Sequence, residues 1–226
     1  MPKSLTFVER PSPNFNERTR PIDTILLHYT AGDLVPSLRR LCDGSGTDRV
    51  SAHYVVDRNG TIYRLVDEKK RAWHAGTSQW KGQPDINSAS IGIEIVNLGH
   101  LPGGTFDPYP EAQIRAVIAL CKDIQKRHKI RHVLGHSDVA VGRKVDPGEH
   151  FPWKRLAEAG LGFWTEDLHH PKLSDRAMLE MIGYNIADVP QAMTAFQRHF
   201  YPEALLRIGS CARSRLAAVY KHALKI

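Results

Sequence analysis

The sequence predicts an α/β domain, a central mixed β-sheet flanked by helices, followed by a small three-helix C-terminal module. Three observations carry that reading. Runs rich in branched aliphatic residues at 24–29 and 91–96 read as strands. Residues 52–56 and 61–65 form a second pair of runs joined by Asp57-Arg58-Asn59-Gly60, and Asn-Gly between two such runs signals a hairpin. A long amphipathic segment at 111–128 separates the strand at 91–96 from a short one at 131–134, the alternation expected of an α/β domain.

Each element has a local reason. In the segment 111–128, Ile114, Val117, Ile118, Cys121 and Ile124 keep helical spacing. Pro110 and Glu111 suit its start, and Lys126, Arg127 and His128 suit its last turn. Residues 36–42 are expected to form a shorter helix. The α/β pattern ends near Gly162, and residues 164–173 read as a linker. Beyond it, Ser174 can cap a helix that runs to Ile182 and is stopped by Gly183. Further helices are expected at 190–200, with Met193, Phe196 and Phe200 on one face, and at 210–223, with Leu216, Val219 and Tyr220 on one face. The expected domains are therefore residues 1–163 and 164–226.

Composition narrows the class. The chain has 226 residues, 42% hydrophobic and 24% charged, enough for a buried core and ordinary for a globular protein. No apolar run reaches the length of a membrane span. Residues 1–10 lack the apolar core of a signal peptide, which favours a cytoplasmic location; a periplasmic one would require a signal already removed. Cys42, Cys121 and Cys211 are too few and too scattered for a disulfide scaffold and read as free thiols. The net charge of +7 suits an anionic partner. Its basic residues are dispersed and form no nucleic-acid-binding motif; a solvated basic surface is the plain reading and attraction to an anionic wall polymer the sharper one.

The chemistry-bearing residues stand out by position. His28 lies at the end of an apolar strand, His136 follows a strand-like run and Gly135, and Asp146 comes ten residues later. Two imidazoles and one carboxylate suit zinc with an open fourth position, although each taken singly is equally an ordinary polar group. Glu94 shares a strand face with Gly92 and Val96, opposite Ile91, Ile93 and Ile95. A carboxylate there is costly unless it is paired with an arginine or serves as a general acid or base. Lys144 is two residues from Asp146; in an extended loop both point the same way, so its ammonium could stabilise an oxyanion or simply be solvated.

Several stretches together resemble one family. They include Ile25-Leu26-Leu27-His28-Tyr29-Thr30, Ser51-Ala52-His53-Tyr54, Arg71-Ala72-Trp73-His74-Ala75-Gly76, Asn87-Ser88-Ala89-Ser90-Ile91-Gly92-Ile93-Glu94, Gly135-His136-Ser137-Asp138 and Arg143-Lys144-Val145-Asp146-Pro147-Gly148. In order and spread over roughly residues 10 to 160, they resemble the zinc-dependent N-acetylmuramoyl-L-alanine amidases of the AmpD/AmiD branch. The resemblance implies that His28, His136 and Asp146 ligate one Zn2+ and that Glu94 and Lys144 are catalytic. It implies that Arg71, Trp73, His74 and Asn87 lie near the groove for peptidoglycan or an anhydromuropeptide. Tyr54 falls where phage-type relatives carry a catalytic tyrosine and is kept as a secondary candidate; its alternative is strand packing. His53, pointing away from Tyr54, is expected to be a supporting or core histidine. Residues 192–200 resemble the central helix of a peptidoglycan-binding module, but Tyr201-Pro202-Glu203-Ala204 replaces the usual turn after it. Two roles stay open for that module, wall binding and bracing of the catalytic domain.

Overall fold

The computed structural model describes residues 5–206 and 212–224. In chain order, its strands are β1 (Phe7–Glu9), β2 (Phe15–Glu17), β3 (Thr24–Tyr29), β4 (Tyr54–Val56), β5 (Ile62–Arg64), β6 (Lys70–Ala72), β7 (Gln79–Trp80), β8 (Gln83–Pro84), β9 (Ser90–Ile95) and β10 (His132–Gly135). Its α-helices are α1 (Leu34–Cys42), α2 (Ile86–Ala89), α3 (Glu111–Arg127), α4 (His136–Val139), α5 (Trp153–Glu158), α6 (Asp175–Ile182), α7 (Val189–Phe200), α8 (Glu203–Leu206) and α9 (Ala212–Ala223). The chain forms two compact units. One comprises Met1–Gly76 and Asn87–Leu134, the other Thr77–Ile86 and Gly135–Ile226.

The first unit is built on a six-stranded sheet of order β1-β5-β4-β9-β3-β10. It is mixed, as expected: β3 and β4 both run parallel to β9, while β4 and β5 form the antiparallel hairpin signalled by Asn59-Gly60. Alternation along the strands sorts the side chains. Val55 and Val96 pack with Leu38 and Leu41 of α1 on one face. The register places His28 opposite Glu94, and Glu94 opposite Val55, so these share that face. Ile91, Ile93 and Ile95 are fully buried on the other face. There the spaced residues Ile114, Val117, Cys121 and Ile124 of α3 are buried, and Gln113 Nε2 donates to Val56 O and Val96 O.

Tyr54 belongs to the α3 face. Its hydroxyl donates to Glu68 Oε1 at 2.8 Å, and Glu68 also receives Arg127 and His128 from the end of α3. Burial works against the Glu68 charge, but the hydrogen bonds from Arg127, His128 and Tyr54 outweigh it and hold the carboxyl at about 2. Burial, followed by the Glu68 charge, raises the Tyr54 phenol above its ordinary range.

The second unit holds the β7–β8 hairpin and α4 to α9. Ser174 caps α6 by accepting the Ala177 N–H, and Gly183 ends that helix. Asp188 caps α7 by accepting from Gln191 N. The expected helix at 210–223 is found from Ala212; its first two positions, including Cys211, lie outside the described residues. Cys42 and Cys121 are free thiols. The strands β1, β2, β6, β7 and β8 had no expectation from sequence. They are two or three residues long, too short for a period to register.

His53 gives the first unit a defined acid response. The ring is fully buried; Gly92 N donates to Nδ1, and Nε2 lies 3.1 Å from Lys70 O. Burial, then the Arg18 charge, lowers it from 6.5 to about 3. Between those values the unfolded chain binds a proton that the folded one refuses, so stability falls as pH drops below 6.5. Glu68, at about 2 against an ordinary 4.5, keeps its stabilising charge above 4.5 and adds a second loss as pH falls toward 2. Urea midpoints should therefore decline below pH 6.5 and more steeply below pH 4.5. In NMR titration the His53 ring should stay neutral to about pH 4; protonation near its ordinary value would contradict this assignment.

Candidate active site

In the first unit, His28 is 1% exposed at the end of β3, in register with Glu94 on β9. Its Nε2 lies 3.0 Å from Nδ1 of His74, and the two rings meet edge-on at 5.1 Å. The His74 ring rests on Gly92: a Cβ there would stand 2.5 Å from His74 Cγ and 2.6 Å from Nδ1. Glycine at position 92 is therefore a steric requirement of the central strand.

Asn87 shapes the segment that carries His74. Its Oδ1 accepts the backbone N–H groups of His74 at 3.0 Å and Ala75 at 2.8 Å. Arg18 locks the base of the same region. Its Nε donates to Glu68 O, Nη1 to Asn87 O and Ser88 O, and Nη2 to Ser90 O, at 2.7 to 3.0 Å. Sequence reasoning missed Arg18, whose carbonyl partners lie 50 to 72 residues away with no local pattern to reveal them.

Arg71 and Trp73 form a half-exposed polar and aromatic group with Asn16: Arg71 Nη1 and Trp73 Nε1 both donate to Asn16 Oδ1. The Arg49 guanidinium lies 5.2 Å over the Trp73 ring. Tyr54 lies on the opposite face of the sheet from Glu94 and is 2% exposed, its hydroxyl bonded to Glu68. That position corrects its candidacy: its hydroxyl lies on the α3 face, away from His28 and Glu94.

In the second unit, His136 opens α4 and Asp146 lies in the loop that follows. They are 4% and 7% exposed, and His136 Nδ1 is 3.0 Å from Asp146 Oδ2. The two segments are further tied by Ser137 N donating to Asp146 O. Gly135 cannot carry a side chain, since a Cβ would stand 2.8 Å from Pro147 Cδ and 3.2 Å from Trp153. Lys144 is exposed on the loop before buried Asp146. Asp138 is fully buried. It accepts Gly135 N–H at 2.8 Å and the Tyr184 hydroxyl at 2.8 Å, and meets His199 Nδ1 at 2.7 Å. Burial, then the Asp138 charge, raises the Tyr184 phenol well above its ordinary value and keeps it a donor.

Gly92→Ala should displace His74 and cost about 1–3 kcal/mol as overpacking. Urea denaturation followed by circular dichroism measures this; an unchanged midpoint would show that the His74 ring has room to move.

Comparison with known proteins bears on this arrangement. Residues 18–149 match the family model described as N-acetylmuramoyl-L-alanine amidase. The chain is 38% identical over 212 residues to the N-acetylmuramoyl-L-alanine amidase AmiD of Escherichia coli (strain K12), covering 80% of this chain and 75% of that one. It is 34% identical over 165 residues to the 1,6-anhydro-N-acetylmuramyl-L-alanine amidase AmpD of Haemophilus influenzae, covering 64% and 86%. Among solved structures, E. coli AmiD in complex with anhydro-N-acetylmuramic acid-L-Ala-D-gamma-Glu-L-Lys matches with a TM-score of 0.76 at 33% identity, over 93% of this chain and 92% of that chain.

Proposed function

The chain belongs to the N-acetylmuramoyl-L-alanine amidase family, and from that premise we propose how its own residues carry out the reaction. The reaction is hydrolysis of the amide between N-acetylmuramic acid, or its 1,6-anhydro form, and L-alanine in peptidoglycan or its fragments. One observation carries the residue assignment: His28 and Glu94 stand in register on adjacent central strands, on the same face. An imidazole and a carboxylate side by side in a sheet of branched aliphatic residues are costly to keep without a polar task.

His28, His136 and Asp146, all buried, are a donor set that could hold a metal ion. Two imidazoles and one carboxylate fit zinc and leave its fourth position for water or substrate. Zinc, when bound, supplies a Lewis acid that polarises the scissile carbonyl and lowers the pKa of water. Glu94 takes the proton of the attacking water and passes it to the leaving amine of L-alanine. Lys144 offers its ammonium to the oxyanion of the tetrahedral intermediate. Arg71 and Trp73 border the muropeptide groove, and His74 and Asn87 fix its wall; Tyr54 takes no part. Residues 1–163 are the catalytic domain, and residues 164–226 the helical peptidoglycan-binding-like domain. Among the described residues no helix is long and apolar enough to cross a membrane.

Chelation should abolish turnover and added zinc restore it. Glu94→Gln should lower kcat by about 10²–10⁴-fold, the range of a lost general base. Both are measured by release of stem peptide, with soluble anhydromuropeptides and purified sacculi digested in parallel. Near-normal turnover by Glu94→Gln, or full activity in chelator, would overturn the assignment; the faster of the two digestions identifies the preferred substrate.

A further inference from the structure

The helices that follow residue 163 touch the ligand-bearing loop of their own unit at four places. His199 of α7 meets Asp138 at 2.7 Å, and Tyr184, between α6 and α7, donates to the other Asp138 oxygen. Arg198 of α7 pairs with Glu149 at 3.6 Å, three residues beyond Asp146. Gln191, near the start of α7, packs within 3.4 Å of where a Cβ on Gly142 would stand. One helix therefore contacts the segment between His136 and Glu149 near its start, middle and end.

The contact at Asp138 is a built one. His199 is 3% exposed and its ring is sandwiched, 3.8 Å from Trp153 and 4.0 Å from Phe200, both near-parallel. Tyr184 is 3% exposed, its ring edge-on to Trp80 at 5.1 Å. Neither ring can swing away without breaking an aromatic contact. Asp138 in turn accepts the N–H of Gly135, the residue before His136. Removing a donor from a buried carboxylate leaves an acceptor with no water to replace it, so the turn that aims His136 is held by side chains from the C-terminal helices.

We propose that His199 and Tyr184 are positioning residues for the metal centre: through Asp138 they fix the Gly135–His136 turn, so the C-terminal helices are part of the catalytic apparatus. The inference rests on the zinc-amidase reading, with His136 as a ligand. It goes further by giving the helices a role distinct from wall binding. Groups that orient metal ligands commonly change metal affinity or activity about 10- to 100-fold when removed, and the effect here travels through one intermediate side chain.

The test uses the full-length protein. His199→Ala should lower zinc affinity about 10-fold in chelator competition and lower kcat on an anhydromuropeptide with KM unchanged. His199→Asn places an amide N–H where Nδ1 stands and should restore most of both. Tyr184→Phe keeps the ring and should show a smaller loss of the same kind. Val219→Ala, buried on α9, should lower the melting temperature without moving zinc affinity. The proposal is overturned if His199→Ala keeps wild-type zinc affinity and kcat, if Asn does not rescue, or if Val219→Ala loses zinc as His199→Ala does. Should His199→Ala fail to fold, wild-type zinc affinity in Tyr184→Phe overturns it equally. A wild type that neither binds zinc nor cleaves the substrate would instead sink the zinc-amidase reading, and this inference with it.

Discussion

The first unit depends on the contact between the His74 ring and the bare backbone of Gly92. A central strand normally fills both faces with side chains; here one position is left empty, and an imidazole occupies the space. That ring reaches His28 on the neighbouring strand, while Asn87 holds the main chain behind it. Each buried polar group satisfies another. An unsatisfied one would cost about 1–3 kcal/mol, as much as or more than a typical hydrogen bond contributes. The network is therefore nearly all-or-none: losing one member exposes the cost of the next.

The second unit applies the same constraint to a carboxylate. Asp138 is buried with a backbone N–H, a phenol and an imidazole around it. Two of those three groups come from beyond residue 163, which binds the later helices to the turn ahead of His136. Residues from Gly135 onward, together with Thr77–Ile86, thus form one compact body.

Within the first unit, the two faces of the sheet carry different electrostatic tasks. On the α3 face, Glu68 draws Arg127, His128 and Tyr54 into a cluster that closes the end of the helix and holds its charge. On the other face, His28 and Glu94 stand opposite each other in register, with Val55 beside Glu94. His53, nearby, is kept neutral by burial and by Arg18. A group whose protonation state is locked in this way supports structure.

By itself the sequence determined the central strands, the Asn-Gly hairpin, α3, the Ser174-capped helix α6 and the helix α7, because periodicity, turn chemistry and caps are local properties of the chain. It also singled out Glu94, since strand alternation alone shows a carboxylate on an otherwise apolar element. What it could not reach were relations between distant residues. Tyr54 is adjacent to His53 in sequence, yet the sheet register sends it to the face away from Glu94. Arg18 and Asp138 looked like ordinary polar residues, and their importance lies in partners as many as 72 and 61 residues away. Even Gly92, visible as a glycine in a strand, gained its reason only when the fold brought His74 over it. Local order is written in short-range pattern; which buried polar groups meet is decided by packing, because only the assembled core fixes who can satisfy whom.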